Sequence, residues 1–205
     1  MEYFIYCRDR PGSGALRSGL AEAHWSFMDL YAEAMIARGP TLALDGTTAT
    51  GSMHIVDLPD VEAARVFAFD EPNFKAGVYG EVLVRRWSNL LGHTMWDFTG
   101  SIAGYRRFLI IGHGGSRVAT DHTGHNDLLA EHRRYALAGR YRDRLIACGP
   151  LLSDDGRDWI GTATVAELPD RAAAEAMLAH DPYADAGRYE RTEIHNWRFG
   201  GRPAP

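Results

Sequence analysis

The chain has 205 residues, a formal charge of -5, and 45% hydrophobic against 24% charged residues. That length fits one large domain or two small ones, and the composition is that of a globular chain with a buried core rather than a disordered one. The basic residues are scattered without a Lys/Arg run, which argues against a nucleic-acid surface, and no apolar run approaches the roughly 20 residues of a membrane helix. The start, MEYFIYCRDR, has no basic-then-apolar leader, so a cytoplasmic protein is expected. Cys7, in an apolar run, and Cys148, just before Gly-Pro, read as small core residues.

In chain order, YFIY (Tyr3 to Tyr6) reads as a strand. The segment GLAEAHWSFMDLYAEAMIARG has apolar residues at helical spacing and predicts a helix ending at Gly39. A short strand around TLAL leads into the Asp45-Gly46 turn, a hairpin signal, and GSMHIVDL alternates as a strand should. PDVEAARVFAFD opens on Pro59-Asp60 and predicts a helix capped by Asp60. YGEVLVRRW is the last strand of the set. The string β-α-β-β-α-β is the split βαβ, ferredoxin-like unit.

The whole unit then recurs. Gly39-Pro40 returns as Gly149-Pro150, Asp45-Gly46 as Asp155-Gly156, Leu58-Pro59-Asp60 as Leu168-Pro169-Asp170, Ala76-Gly77 and Tyr79 as Ala186-Gly187 and Tyr189, and Trp87 as Trp197. All pairs share one offset. Upstream, YFIYC pairs with RFLII (Arg107 to Ile111) a few residues early, so the second copy carries an insertion within Gly112 to Asp127. The predicted organisation is unit 1 over 1–87, a linker over 88–104 whose Met95, Trp96 and Phe98 should pack, and unit 2 over 105–205. An α+β fold follows, with two ferredoxin-like units pairing their bare sheet faces inside one chain as a pseudo-dimer.

With strand order 4-1-3-2, the start of the first helix and the end of the second lie at the same edge. His24 should therefore meet Glu71 or Asp70, and His132 should meet Asp181. A carboxylate that fixes an imidazole tautomer makes a proton carrier near neutral pH; the plain alternative is a helix stop at acid-Pro. Arg17, Trp25, Asp29, Tyr79 and Tyr189 are candidate substrate contacts. His132 lies two residues farther from its Gly-Pro than His24 does, so an ungapped alignment puts Arg134 opposite His24. The charged EHRRY around His132 predicts a wetter second site, which favours the first unit, where Trp25 and Phe27 offer an apolar wall.

His122, His125 and His132 are close in sequence, but capping and loop roles outweigh a metal site there, and no metal is expected. GHGG around His113 lacks the Gly-Lys-Ser/Thr of a phosphate loop. No hydrolase motif is present.

Both halves resemble the YCII-like domain, on YFIYCRDRPGS, AEAH ending at His24, ARGPTLALDG, TGSMHIVDLP and EPNFKAGVY, and again on RFLIIGHGG, LLAEH ending at His132, ACGPLLSDDG and HDPYADAGRY. The resemblance implies a dimeric α/β barrel and a His/Asp site, carried here to His24 with Glu71 and His132 with Asp181. Proteins similar to this family include a dehydrochlorinase of a chlorinated hydroxyquinol, and more distantly muconolactone isomerases and cofactor-free monooxygenases. The expectation is a cofactor-independent lyase or isomerase acting on a small aromatic or quinonoid metabolite. A non-catalytic small-molecule-binding module and a cofactor-free monooxygenase are the alternatives, and homodimerisation is left open.

Overall fold

The computed structural model describes residues 1–115 and 125–202, with the side chains of 125 and 126 excepted. In the first unit β1 (Glu2–Asp9) leads to α1 (Gly14–Gly19) and α2 (Ala21–Asp29), then β2 (Met35–Leu42), β3 (Ala49–Asp57), α3 (Val61–Phe69), α4 (Pro72–Lys75) and β4 (Tyr79–Trp87). The second unit repeats this as β5 (Arg106–Gly114), α5 (His125–Ala136), α6 (Gly139–Arg142), β6 (Leu145–Leu152), β7 (Trp159–Leu168), α7 (Arg171–Ala179), α8 (Pro182–Asp185) and β8 (Tyr189–Trp197). No helix among the described residues is long and apolar enough to cross a membrane.

Each unit forms an antiparallel sheet, β4-β1-β3-β2 and β8-β5-β7-β6, and the two sheets close into one eight-stranded barrel. Closure runs through short seams, Thr41 to Trp197 and Leu42 to Asn196 on one side, Arg86 to Leu152 and Trp87 to Leu151 on the other. Every sheet edge is thereby paired. The period of two divides each strand: Phe4 and Tyr6 of β1 face the shared interior with Met53, Ile55, Trp87, Leu109, Ile111 and Trp197, while Tyr3, Ile5 and Cys7 pack under the helices. Burying each such large side chain stabilises the fold by about 1.5–3 kcal/mol.

The first helix does not reach Gly39. It stops at Asp29, a single 3-10 turn follows at Ala32–Ala34, and Met35 to Leu42 form β2. The Ala and Met content favours helix locally, but pairing with β3 and β8 overrides that preference. In the second unit the corresponding stretch holds α6, so the two extra residues lie after His132 and leave its phase intact. Arg134 does not take the place of His24; it is exposed and pairs with Glu131.

The repeated Gly-Pro has a steric cause. A Cβ at Gly39 would collide with the Arg198 carbonyl and the Trp197 ring, and one at Gly149 with the Ser88 carbonyl and the Trp87 ring. The chain leaving each unit thus runs across the other's second strand: Leu90 N donates to Cys148 O and Gly200 N to Arg38 O. The segment over 88–104 packs through Met95, which is buried with its Sδ accepting from Arg38 N, and through Phe98 against the core, whereas Trp96, expected to pack, is exposed.

Candidate active site

Helix α2 carries His24 to the edge where α3 gives way to α4. There Glu71 bonds in two directions: Oε1 lies 2.5 Å from His24 Nδ1, and Oε2 accepts from Phe74 N at 2.9 Å as the cap of α4. The acid before the proline is therefore both helix cap and imidazole partner. The same pair recurs in the second unit, where Asp181 Oδ2 is 2.8 Å from His132 Nδ1 and Oδ1 accepts from Tyr183 N. Asp70 is not part of either pair. As the C-cap of α3 it points to solvent, its carboxylate 2.9 Å from Lys75 Nζ.

A cleft of about 770 Å³ opens beside the first pair on the helix side of the sheet, lined by His24, Trp25, Arg17, Arg38, His54 and Asn73 among others. The Arg17 guanidinium is held by Asp9 at 2.8 Å and Ser52 Oγ at 2.7 Å. Burial raises the Asp9 carboxyl pKa even with Arg17 beside it. Tyr79 is buried and lies behind the wall, donating to Ser52 and accepting from Asn73. Burial pushes its phenol well up. Asp29 stands at the rim, 3.1 Å from Arg202 Nε and 3.6 Å from Arg38 Nη1.

His54 escaped the sequence reading because GSMHIVDL signals only a strand. It is almost fully buried and lines the cleft, with Nδ1 unpartnered and the ring 5.7 Å from that of His24. Burial, then the neighbouring His24, Arg17 and Arg38, hold its pKa well below the usual imidazole value, so it is neutral. The other missed elements are Arg38 and the strap of Phe199 to Arg202, which comes from the far end of the chain. Arg202 reaches over α2 to Glu22 at 2.6 Å and lies over the Trp25 ring.

The second unit keeps the pair, and among the described residues bulkier side chains stand where the first unit has its cleft lining. Trp159 stands in the register of Ala49, and Tyr183 in that of Asn73. Their rings stack at 4.2 Å with 12° between planes. Leu90 and Leu91 pack where the first unit has Gly200 and Gly201, Thr164 replaces His54, and Cys148 replaces Arg38. Tyr189 is bonded to Thr162 at 2.7 Å inside this packed region. The second imidazole is therefore the drier one, contrary to expectation, its side chain 3% exposed against 14% for His24, while Glu71 at 3% is as sealed as Asp181 at 9%. Burial resists a charge on His132, yet Asp181 and Cys148, through their hydrogen bonds and charge, together outweigh it and its pKa is raised to about 10.

His113 belongs to neither pair. It lies 2.7 Å from Glu193, which also contacts His195 and Arg8. Burial resists charge on Glu193, but these bonds hold its carboxyl below the usual range. His122 and the side chain of His125 lie outside the described residues; no group of three or more His, Cys, Asp or Glu among the described residues is placed to hold a metal.

Comparison with known proteins places the chain in a family and a fold. Protein YciI of Escherichia coli is 32% identical over 92 residues, covering 42% of this chain and 94% of that protein. Chlorite dismutase of Candidatus Nitrospira defluvii, in complex with imidazole, is 12% identical with a TM-score of 0.57 over 96% of this chain and 91% of its own, a likeness of fold. The 5-chloro-2-hydroxyhydroquinone dehydrochlorinase of Burkholderia phenoliruptrix is 29% identical over 43% of this chain and 94% of its own, with a TM-score of 0.40. The model of the YCII-related domain matches twice, over residues 1–88 and 108–198, and the chain belongs to that family.

Proposed function

We propose that the protein is an acid-base enzyme of lyase or isomerase type acting on a small aromatic or quinonoid metabolite in the first-unit cleft. The observation that carries this reading is the His24 ring. Its Nδ1 is tied to the capped Glu71 carboxylate, and the ring lines a cleft large enough for a single-ring substrate. Nδ1 engagement leaves Nε2 as the reacting nitrogen, and a carboxylate behind an imidazole stabilises the imidazolium as it forms.

His24 Nε2 takes a proton from a ring carbon next to a carbonyl, and the C–H electron pair moves into the ring as an enolate. The imidazolium then returns the proton elsewhere on the ring, giving an isomer. Alternatively the enolate expels a leaving group with its bonding pair, completing an elimination. Neutral His54 faces the same space and donates a hydrogen bond to the carbonyl oxygen that gathers charge. Trp25 and Phe199 supply flat apolar surface for a ring.

The test is turnover of a panel of hydroxylated and chlorinated hydroquinones and benzoquinones, followed by absorbance and by solvent deuterium incorporation. His24→Ala and Glu71→Gln should each lower kcat by roughly 10²–10⁴-fold. Retained turnover in His24→Ala would overturn the reading.

A further inference from the structure

The residues lining the cleft include four arginines, Arg17, Arg38, Arg198 and Arg202, with two histidines and no carboxylate, on a chain whose net charge is -5. Three neighbouring acids, Asp9, Glu22 and Asp29, offset four arginines only in part. Asp9 holds Arg17, and Glu22 holds Arg202. Asp29 is divided between Arg202, at hydrogen-bonding distance, and Arg38, at 3.6 Å. Arg198 has no carboxylate partner among the described residues.

Arg38 is the unusual member. Its side chain is 16% exposed, and its Nε and Nη1 are buried with no hydrogen-bond partner. A buried guanidinium with unmade bonds costs free energy; the exposed remainder of the side chain meets an anion in the cleft first, and a small rotation then turns the planar fork to two oxygens of one group. Its position is specific to this unit: β2 presents Arg38 opposite His54, while β6 presents Cys148 opposite Thr164 where Trp159 and Tyr183 fill the space.

We infer that the substrate of the first-unit cleft carries a planar anionic group of the carboxylate type, bound by Arg38, with the reacting ring turned toward His24. This deepens the acid-base reading and rests on the same cleft being the working site. It makes Arg38 the residue that selects anionic over neutral rings.

Calorimetric titration with 2,5-dihydroxybenzoate and its methyl ester tests this at neutral pH, the two probes differing in the charge of one group. The acid should bind roughly 10–100-fold more tightly than the ester. Arg38→Gln should bring the acid down to the ester's affinity and leave the ester unchanged. Arg38→Lys, which keeps the charge and loses the fork, should fall between. An Arg65→Gln control, altering an exposed arginine that pairs with Asp154, should match the wild type. Equal affinity for acid and ester, failure of both to bind at millimolar concentration, or undiminished preference in a folded Arg38→Gln protein would overturn the inference. If the acid is preferred through Arg38 but no member of the quinonoid panel exchanges or loses a proton, the catalytic reading falls and the anion site stands.

Discussion

Replacing each histidine by alanine should separate the two units, because the same pair sits in different surroundings. His132 and Asp181 have side chains only 3% and 9% exposed. His132→Ala strands the carboxylate in a packed region beside the Trp159–Tyr183 stack. Breaking a buried ion pair from one side costs about 3–5 kcal/mol, and the remaining bond from Tyr183 N to Asp181 favours the lower end. For a chain of this size roughly 3 kcal/mol lowers Tm by roughly 6–12 °C. His24→Ala leaves Glu71 still capping α4, and the open cleft lets water reach the space vacated. Its cost should be about 1 kcal/mol, a drop of roughly 2–4 °C. Urea unfolding and calorimetry at pH 7 on both variants measure the difference. Equal losses, or a larger loss for His24→Ala, would refute the argument that the second pair is structural and the first is kept accessible.

The raised pKa of His132 sets a pH window. Its contribution to stability is complete below the unfolded imidazole value of 6.5 and is lost as pH climbs toward about 10. The stability gap between wild type and His132→Ala should therefore narrow over that range; a gap that widens with pH contradicts the ion pair. Trp159→Ala should cost about 3–5 kcal/mol by removing a stacked, buried ring, and a loss under about 1 kcal/mol in urea titrations would show that the second unit is loosely filled. His54→Thr, which copies the residue of the second unit, removes a buried unpartnered nitrogen and should leave Tm nearly unchanged while turnover drops about tenfold or more. Unaltered turnover would remove His54 from the site.

The repeat made the fold legible. Shared Gly-Pro and Ala-Gly-x-Tyr positions disclosed two units, alternation disclosed the strands, and two half-covered sheets in one chain implied face-to-face closure. The end of the first helix was not legible, since AEAMIARG has helical propensity and becomes a strand only because β3 and β8 pair with it. Convergence of His24 on Glu71 and of His132 on Asp181 followed from topology, whereas Asp70, one residue away, turns to solvent. Wetness could not be read locally. EHRRY is charged, but its arginines face outward, and the dryness of His132 comes from Trp159, Tyr183, Leu90 and Leu91, remote in sequence. Arg38, His54 and the Arg202 strap were hidden for the same reason: each acquires its role from a neighbour remote in sequence, His54 from His24 and Phe67 of its own unit and the strap from the closed barrel.

The most direct measurement is a crystal structure of the protein with 2,5-dihydroxybenzoate bound. The account predicts the ring between Trp25 and Phe199, its edge at His24 Nε2 and His54, and its carboxylate on Arg38, with His132 still packed against Tyr183. Ligand density beside Asp181 and Tyr189, or in the barrel interior near Glu193, with none at His24, would contradict it.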